Sequence, residues 1–306
     1  MRIFNFFLIN FLNVYFLLEL DYYIFHETFK SKMKKIGVFI STVLTLMPFS
    51  QSLILKTGLA LSTTGLIISA RSNVNAAEKK LNPNSLQFIL ELGFDKIESE
   101  DFEGAIKEFT KALENDPNSG NAYFGRGIAK YSLEDYEGAI EDFSESIAIN
   151  QNDADSYFMR GFAKYDLEDF EGAIADFSKV IAINPDDDDA YYERGMSRYA
   201  LEDFEGAIDD FTQVIELKPD NEYAYYERGL ANYRYGNYER AIDDFTKTFK
   251  IDNSFSDNPD IYYFIGASKL NIEDYTGCSD INRALELGNN SDNDWYNSVE
   301  VNFCTN

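Results

Sequence analysis

Five alanines, Ala105, Ala139, Ala173, Ala207 and Ala241, fall 34 residues apart, and each stands four residues before a phenylalanine, Phe109, Phe143, Phe177, Phe211 or Phe245. Four residues is close to one helical turn, so each alanine shares a helix face with its phenylalanine. A fixed period of this length marks a chain that reuses one supersecondary unit, each copy burying its apolar face against its neighbours. The period predicts an all-α solenoid; at 306 residues such a chain grows by adding units and needs no single compact core.

The third unit, residues 154–187, serves as the template. Phe158, Phe162 and Tyr165 stand at spacings of four and three, one stripe of a first helix, with Tyr157, Arg160 and Gly161 on an adjoining face. A break follows at Leu167 to Asp169. Asp169 is placed to cap a second helix, and Glu171 adds charge that suits its positive end. Ala173, Phe177 and Ile181 then form the buried stripe of that second helix, which ends before Pro185. The unit is a helical hairpin.

Glycine inside a helix costs about 0.5–1 kcal/mol relative to alanine, so its return at Gly93, Gly127, Gly161, Gly195, Gly229 and Gly266 predicts close backbone approach. Arg126, Arg160, Arg194 and Arg228 each precede such a glycine and are matched by Asp142, Asp176, Asp210 and Asp244 in the second helices. Buried arginines need carboxylates, which predicts repeating bidentate pairs. The spacing leaves open whether each pair closes within a unit or between neighbours, where Glu108 could serve Arg126.

Chemistry is scarce. The one histidine, His26, lies ahead of everything that reads as folded, and the two cysteines are Cys278 and Cys304. No Ser/His/Asp or Cys/His set, zinc set or glycine-rich phosphate loop is present. No catalytic, cofactor or metal residues are assigned, and the expected protein is not an enzyme. The aspartate run Asp186 to Asp189 fails as a calcium loop, with no glycine at the sharp turn and no closing glutamate. From Ala77 onward 20 basic residues face 50 acidic ones, a balance of −30. That charge repels nucleic acid and anionic lipid and either draws in basic proteins or simply keeps the surface soluble.

Two apolar stretches precede the repeats. Residues 3–25 include Asn5, Asn10, Asn13, Glu19 and Asp21, and buried charges at about 2.5–3.5 kcal/mol each make this a poor membrane span. A second stretch follows the basic cluster Lys30, Lys32, Lys34 and Lys35, and Val74-Asn75-Ala76 offers small side chains where a signal peptidase inspects. Residues 33–76 therefore read as a signal peptide or, with Arg71 near the cleavage point, an uncleaved membrane anchor. Met33 reads as an alternative start, which makes residues 1–32 a doubtful extension, and residues 77–85 read as a linker. Either reading exports the repeats to a periplasm, envelope or lumen. Membrane contact is expected only through this N-terminal segment.

The recurring residues resemble the tetratricopeptide repeat (TPR) family over residues 86–287. The resemblance rests on Leu92-Gly93, the five alanine to phenylalanine pairs, and Pro117, Pro185 and Pro219 at unit ends. It departs at Tyr123, Tyr157, Tyr191 and Tyr225, which stand where the family has tryptophan, and at the four arginines, which replace its leucine. It implies a right-handed α-solenoid of about six TPR hairpins, residues 86–119, 120–153, 154–187, 188–221, 222–255 and 256–287. Together with the export signal, it suggests an exported member of bacterial type. A cap over 288–306 closes the stack, with Trp295, Val299 and Phe303 on one stripe of a helix running from Asp292. That helix carries Cys304 towards Cys278, and an exported pair is either a disulfide or two free thiols.

By the same resemblance, the first helices line a groove that takes a protein or peptide segment. Its floor would be Phe124, Ile128 and Tyr131; Phe158, Phe162 and Tyr165; Tyr192, Met196 and Tyr199; and Tyr226, Leu230 and Tyr233. Such a stripe can equally be core. Asp155, Asp166, Asp189, Glu193 and Glu227 flank it, which favours a partner with arginine or lysine beside apolar side chains. The expected function is a non-enzymatic interaction scaffold. The alternative is a structural spacer of the cell envelope that acts by self-association.

Overall fold

The computed structural model describes residues 85–288 and 299–305, where α-helices and one short 3-10 turn are the only regular elements. The N-terminal extension, the signal or anchor, nearly all of the linker and Trp295 lie outside the described residues. Among the described residues no helix is long and apolar enough to cross a membrane. The helices pair as consecutive hairpins: α1 (Leu86–Glu98) with α2 (Phe102–Asn115), α3 (Gly120–Ser132) with α4 (Tyr136–Ile149), and α5 (Ala154–Asp166) with α6 (Phe170–Ile183). They continue as α7 (Asp188–Ala200) with α8 (Phe204–Leu217), α9 (Glu222–Tyr235) with α10 (Tyr238–Ile251), and α11 (Pro259–Asn271) with α12 (Gly277–Leu287). A short closing helix, α13 (Val299–Thr305), follows. The fold is the TPR type of α-solenoid. The chain divides into two compact units, residues 1–159 and 160–306.

One turn design joins the two helices of most hairpins. An aspartate caps the second helix, as Asp169 does by accepting from the Gly172 amide, and Asp101, Asp135 and Asp203 do the same. The preceding residue is left-handed: Glu100, Glu134, Glu168, Glu202 and Glu273 have φ between 59° and 67°. A side chain at such φ costs about 1–2 kcal/mol. The recovery is in the backbone, where Glu168 N–H donates to Tyr165 O and Asp169 N–H to Lys164 O, satisfying the last carbonyls of the first helix. Only at the fifth turn does glycine take this place, as Gly236 with φ 92°.

In residues 1–159 the core gathers Ile89, Leu90, Phe94, Phe102, Ala105, Phe109 and Leu113, all buried. Phe109 is fully enclosed, against Gly93 of its own hairpin and Gly125 of the next. In residues 160–306 the pattern repeats with Phe177, Phe211 and Phe245, each 0% exposed. A Cβ on Gly195 would sit 2.9 Å from the ring of Phe211, so the predicted close approach is real and is filled by the phenylalanine of the same hairpin.

The arginine to aspartate pairs close within each hairpin. Arg126, Arg160, Arg194 and Arg228 donate through Nη2 to Asp142, Asp176, Asp210 and Asp244 at 2.6–2.7 Å and through Nε at 2.9–3.0 Å. Arg126 also reaches back to the Thr110 hydroxyl of the preceding hairpin, as Arg194 does to Ser178 and Arg228 to Thr212. Glu108 does not take the role open to it; Thr110 is the contact instead. A second cation lies on the same carboxylate in three hairpins, Lys130 at 2.8 Å, Lys164 at 2.7 Å and Arg198 at 2.8 Å.

At the C-terminal end Cys278 and Cys304 form a disulfide, with Cα atoms 5.2 Å apart. The bond ties α13 to α12 beside Tyr263, Ala267, Ile281 and Ala284. It also corrects the expected stripe. Cys304 and the residue three before it, Val301, turn inward, so Val301 is buried and Phe303 is 59% exposed. The bond closes a loop 26 residues long, worth roughly 3 kcal/mol in chain entropy. Cys304→Ser is expected to lose about that much from the last hairpin, read as faster amide exchange in α12. Unchanged exchange there would show that packing alone holds the cap.

Candidate functional site

Six of the twelve proposed floor residues form no surface. Phe124, Ile128, Tyr131, Phe158, Phe162 and Tyr226 are 2–7% exposed and belong to the core. Their stripes face the helices packed against them: the Phe124 ring lies 5.8 Å from Phe143, Phe162 lies 5.6 Å from Phe177 and Tyr226 lies 5.9 Å from Phe245. Tyr165, Tyr192, Met196, Tyr199, Leu230 and Tyr233 are half-buried. Of these, Tyr165, Tyr199 and Tyr233 stand edge-on to the first aromatic residue of the second helix, Phe170, Phe204 and Tyr238, at 5.2–5.9 Å between centroids. One side of each ring is therefore committed to packing.

The acids are more informative, because of the position two of them occupy. Two residues before the recurring glycine, the second unit has Gly125 against Phe109 and the third has the buried Met159; the next two have Glu193 and Glu227. The first unit also has a carboxylate at this place, Glu91, which accepts from Gln87 Nε2 at 2.9 Å, so the slot takes acids as well as small and apolar groups. Glu227 is 4% exposed and Glu193 is half-buried. No hydrogen bond or ion pair holds the Glu193 carboxylate among the described residues. Burial, reinforced by Asp189, Asp166 and Glu227, pushes its pKa up to about 8. Asp189, one turn earlier on α7, is raised to about 7 by burial and by Asp188, against the pull of Lys218.

The same charges act on Tyr165, whose hydroxyl burial, Glu193, Glu227 and Asp166 push up to about 12. Tyr199 is raised by burial, with Arg234 opposing. Within residues 160–306 the structure therefore brings together Tyr165, Asp166, Asp189 and Glu193 as an acidic, tyrosine-edged face of the first helices, with Glu227 buried behind it. Tyr233 is instead raised by burial beside Tyr263 and Glu300 near the closing helix. Asp155 is half-buried in the other unit, at the start of α5. Among the described residues no cluster of His, Cys, Asp or Glu could hold a metal ion. What this surface offers chemically is charge and ring faces, suited to contact with a cationic, partly apolar chain.

Stacked helical hairpins with a charged first-helix face suggest a protein–protein interaction scaffold, and the comparisons point the same way. Residues 90–154 match the family described as tetratricopeptide repeat, and residues 163–201 and 195–236 match that described as TPR repeat. Among solved structures the chain is similar to MamA protein, at 25% identity over 57% of this chain and 96% of that one, with TM-score 0.54. It shares the fold of MamA from Desulfovibrio magneticus RS-1, at 21% identity over 55% and 96% and TM-score 0.53. It likewise shares the fold of YrrB, a TPR protein with an unusual peptide-binding site, at 22% identity over 60% and 93% and TM-score 0.52. No curated protein matches the chain. Matches and fold together support the tetratricopeptide repeat family.

Proposed function

We propose that the protein is a non-enzymatic adaptor whose first-helix face in residues 160–306 holds a basic, partly apolar segment of another protein. The observation that carries this reading is Glu193, a half-buried acid beside Asp189 and Asp166 with no cation of its own among the described residues. A lysine or arginine of the partner favours the ionised form of Glu193 and pairs with it, beside Tyr165 and Asp189. The peptide-binding site of YrrB supports the reading by likeness of fold. Export belongs to the same proposal: the basic cluster before the second apolar stretch supports it, and so does the disulfide, a bond that persists in oxidising compartments.

The test is direct binding of short peptides that pair lysine or arginine with aromatic residues, each beside a copy with glutamate in place of the basic residues. The basic peptides are expected to bind, and Glu193→Gln with Asp189→Asn is expected to remove that binding while helicity stays unchanged. Equal binding of the acidic copies would overturn the reading.

Glu193 also sets a pH dependence. An acid with a raised pKa keeps, in the folded state, a proton that the unfolded chain has lost. Its contribution therefore turns unfavourable as pH climbs from the ordinary 4.5 to about 8. The wild type is expected to be more stable near pH 5.5 than near pH 8.5, and Glu193→Gln to be more stable than wild type at the higher pH by on the order of 2 kcal/mol. Parallel melting curves for the two proteins across that window would refute the assignment.

A further inference from the structure

The repeats serve as controls for one another, and the fifth departs from the rest at one corner. Where units two to four have Lys130, Lys164 and Arg198, the fifth has Asn232; where they have Gly138, Gly172 and Gly206, it has Arg240. In the earlier hairpins the long cation fills the corner between the two helices. It reaches the inner aspartate and also the carbonyl of that glycine, at 3.1 Å for Lys130, 3.4 Å for Lys164 and 3.1 Å for Arg198. Asn232 is shorter; its amide donates to Asp244 Oδ2 at 3.0 Å and its Oδ1 accepts from Asn237 Nδ2 at 3.3 Å, with no bond to the residue 240 carbonyl among those described.

A cavity of about 370 Å³ lies at this corner, lined by Ile208, Thr212, Asn232, Arg240 and Asp243 together with the Arg228 to Asp244 pair. Its size falls within the range of small-molecule sites. Arg240 and Asp243 are three apart on α10, a spacing at which opposite charges are within reach of each other. Both are exposed and both line the cavity, yet neither makes a hydrogen bond or ion pair with the other or with any other described residue. A purely anionic ligand would meet Asp243 and Asp244. A purely cationic one would meet Arg228 and Arg240. A ligand with one charge of each sign satisfies the lining.

We propose that this cavity binds an aliphatic ω-amino carboxylate: its carboxylate pairs with Arg240, its ammonium with Asp243, and its methylene chain lies along Ile208 beside Thr212. The same chemistry is presented by a free small molecule and by a polypeptide that ends in lysine, through its terminal carboxylate and side-chain ammonium.

Calorimetric titration of the full chain with 6-aminohexanoate tests the site, with hexanoate and hexylammonium as half-ligands. The zwitterion is expected to bind at least about tenfold more tightly than either half-ligand, equivalent to about 1.4 kcal/mol. Arg240→Gly, which restores the residue of the other units, is expected to lose at least that factor. Asn232→Lys refills the corner as in units two and three and is expected to abolish binding while the melting temperature is kept or raised. Should that variant fold poorly, Asp243→Ala, the residue at this place in the third unit, is expected to show the same loss. A peptide ending in lysine and its C-terminal amide separate the two sources: preference for the free-acid peptide over 6-aminohexanoate assigns a chain terminus, and the reverse assigns a small molecule. Equal binding of the half-ligands, wild-type affinity in Asn232→Lys or Asp243→Ala, or no binding of 6-aminohexanoate would each overturn the proposal.

Discussion

Phe211→Ala is expected to lower the unfolding free energy by about 3–5 kcal/mol. The ring is 0% exposed, packs among Ala207 and Ala231, meets Tyr192 at 5.6 Å, and covers the bare backbone of Gly195. Removing it opens a cavity that the facing glycine cannot fill. Gly195→Ala alone should also destabilise, by about 1–3 kcal/mol, because the new methyl would lie 2.9 Å from the ring. The two changes should not add: with the ring gone, the methyl fills part of the hole, and the double variant should be more stable than the sum of the singles predicts. Denaturant melts of the three variants decide it. Strict additivity, or a loss below about 1 kcal/mol for Phe211→Ala, would mean that the ring does not set the spacing of the hairpin.

A loss of about 3–5 kcal/mol is likewise expected for Asp176→Ala, for an electrostatic reason. Asp176 is 2% exposed and accepts from Arg160 Nε at 2.9 Å and Nη2 at 2.7 Å, with Lys164 Nζ at 2.7 Å. Without the carboxylate, two cations with only 18% and 19% side-chain exposure face each other uncompensated. Lys164→Met should cost far less, about 1 kcal/mol, because the bidentate pair survives and the methylene stem is kept. The fifth hairpin already lives with that arrangement, Asp244 being held by Arg228 and the Asn232 amide. If Lys164→Met proved as costly as Asp176→Ala, the second cation rather than the pair would be the structural element.

Much of this was legible in the sequence because repetition multiplies weak signals. A single glycine inside a helix says little, whereas five glycines in register with five phenylalanines specify a close approach and the residue that fills it. The arginine to aspartate pairs were legible for the same reason, but their closure within a hairpin was not, since Asp142 and Glu108 are equally plausible by spacing. Lys130, Lys164 and Arg198 were not legible as partners, because a long cation four residues past each arginine is equally at home on a solvated face. The left-handed turns were hidden because glutamate fills them where glycine is the expected residue. The groove floor was over-read at Phe124, Phe162 and Tyr226. A helical stripe shows which residues share a face, and that pattern is the same whether the face meets solvent or another hairpin.

The backward reach of Arg126, Arg194 and Arg228 to a hydroxyl has a consequence for how such a chain can change length. Arg194 meets Ser178 and Arg228 meets Thr212, each 16 positions upstream. Excising residues 188–221 would set Arg228 opposite Ser178, so an alcohol would still receive the guanidinium. Cutting out a number of residues that is not a multiple of 34 would break this match. Whole periods are therefore the units in which such a chain can lengthen or shorten with its joints intact.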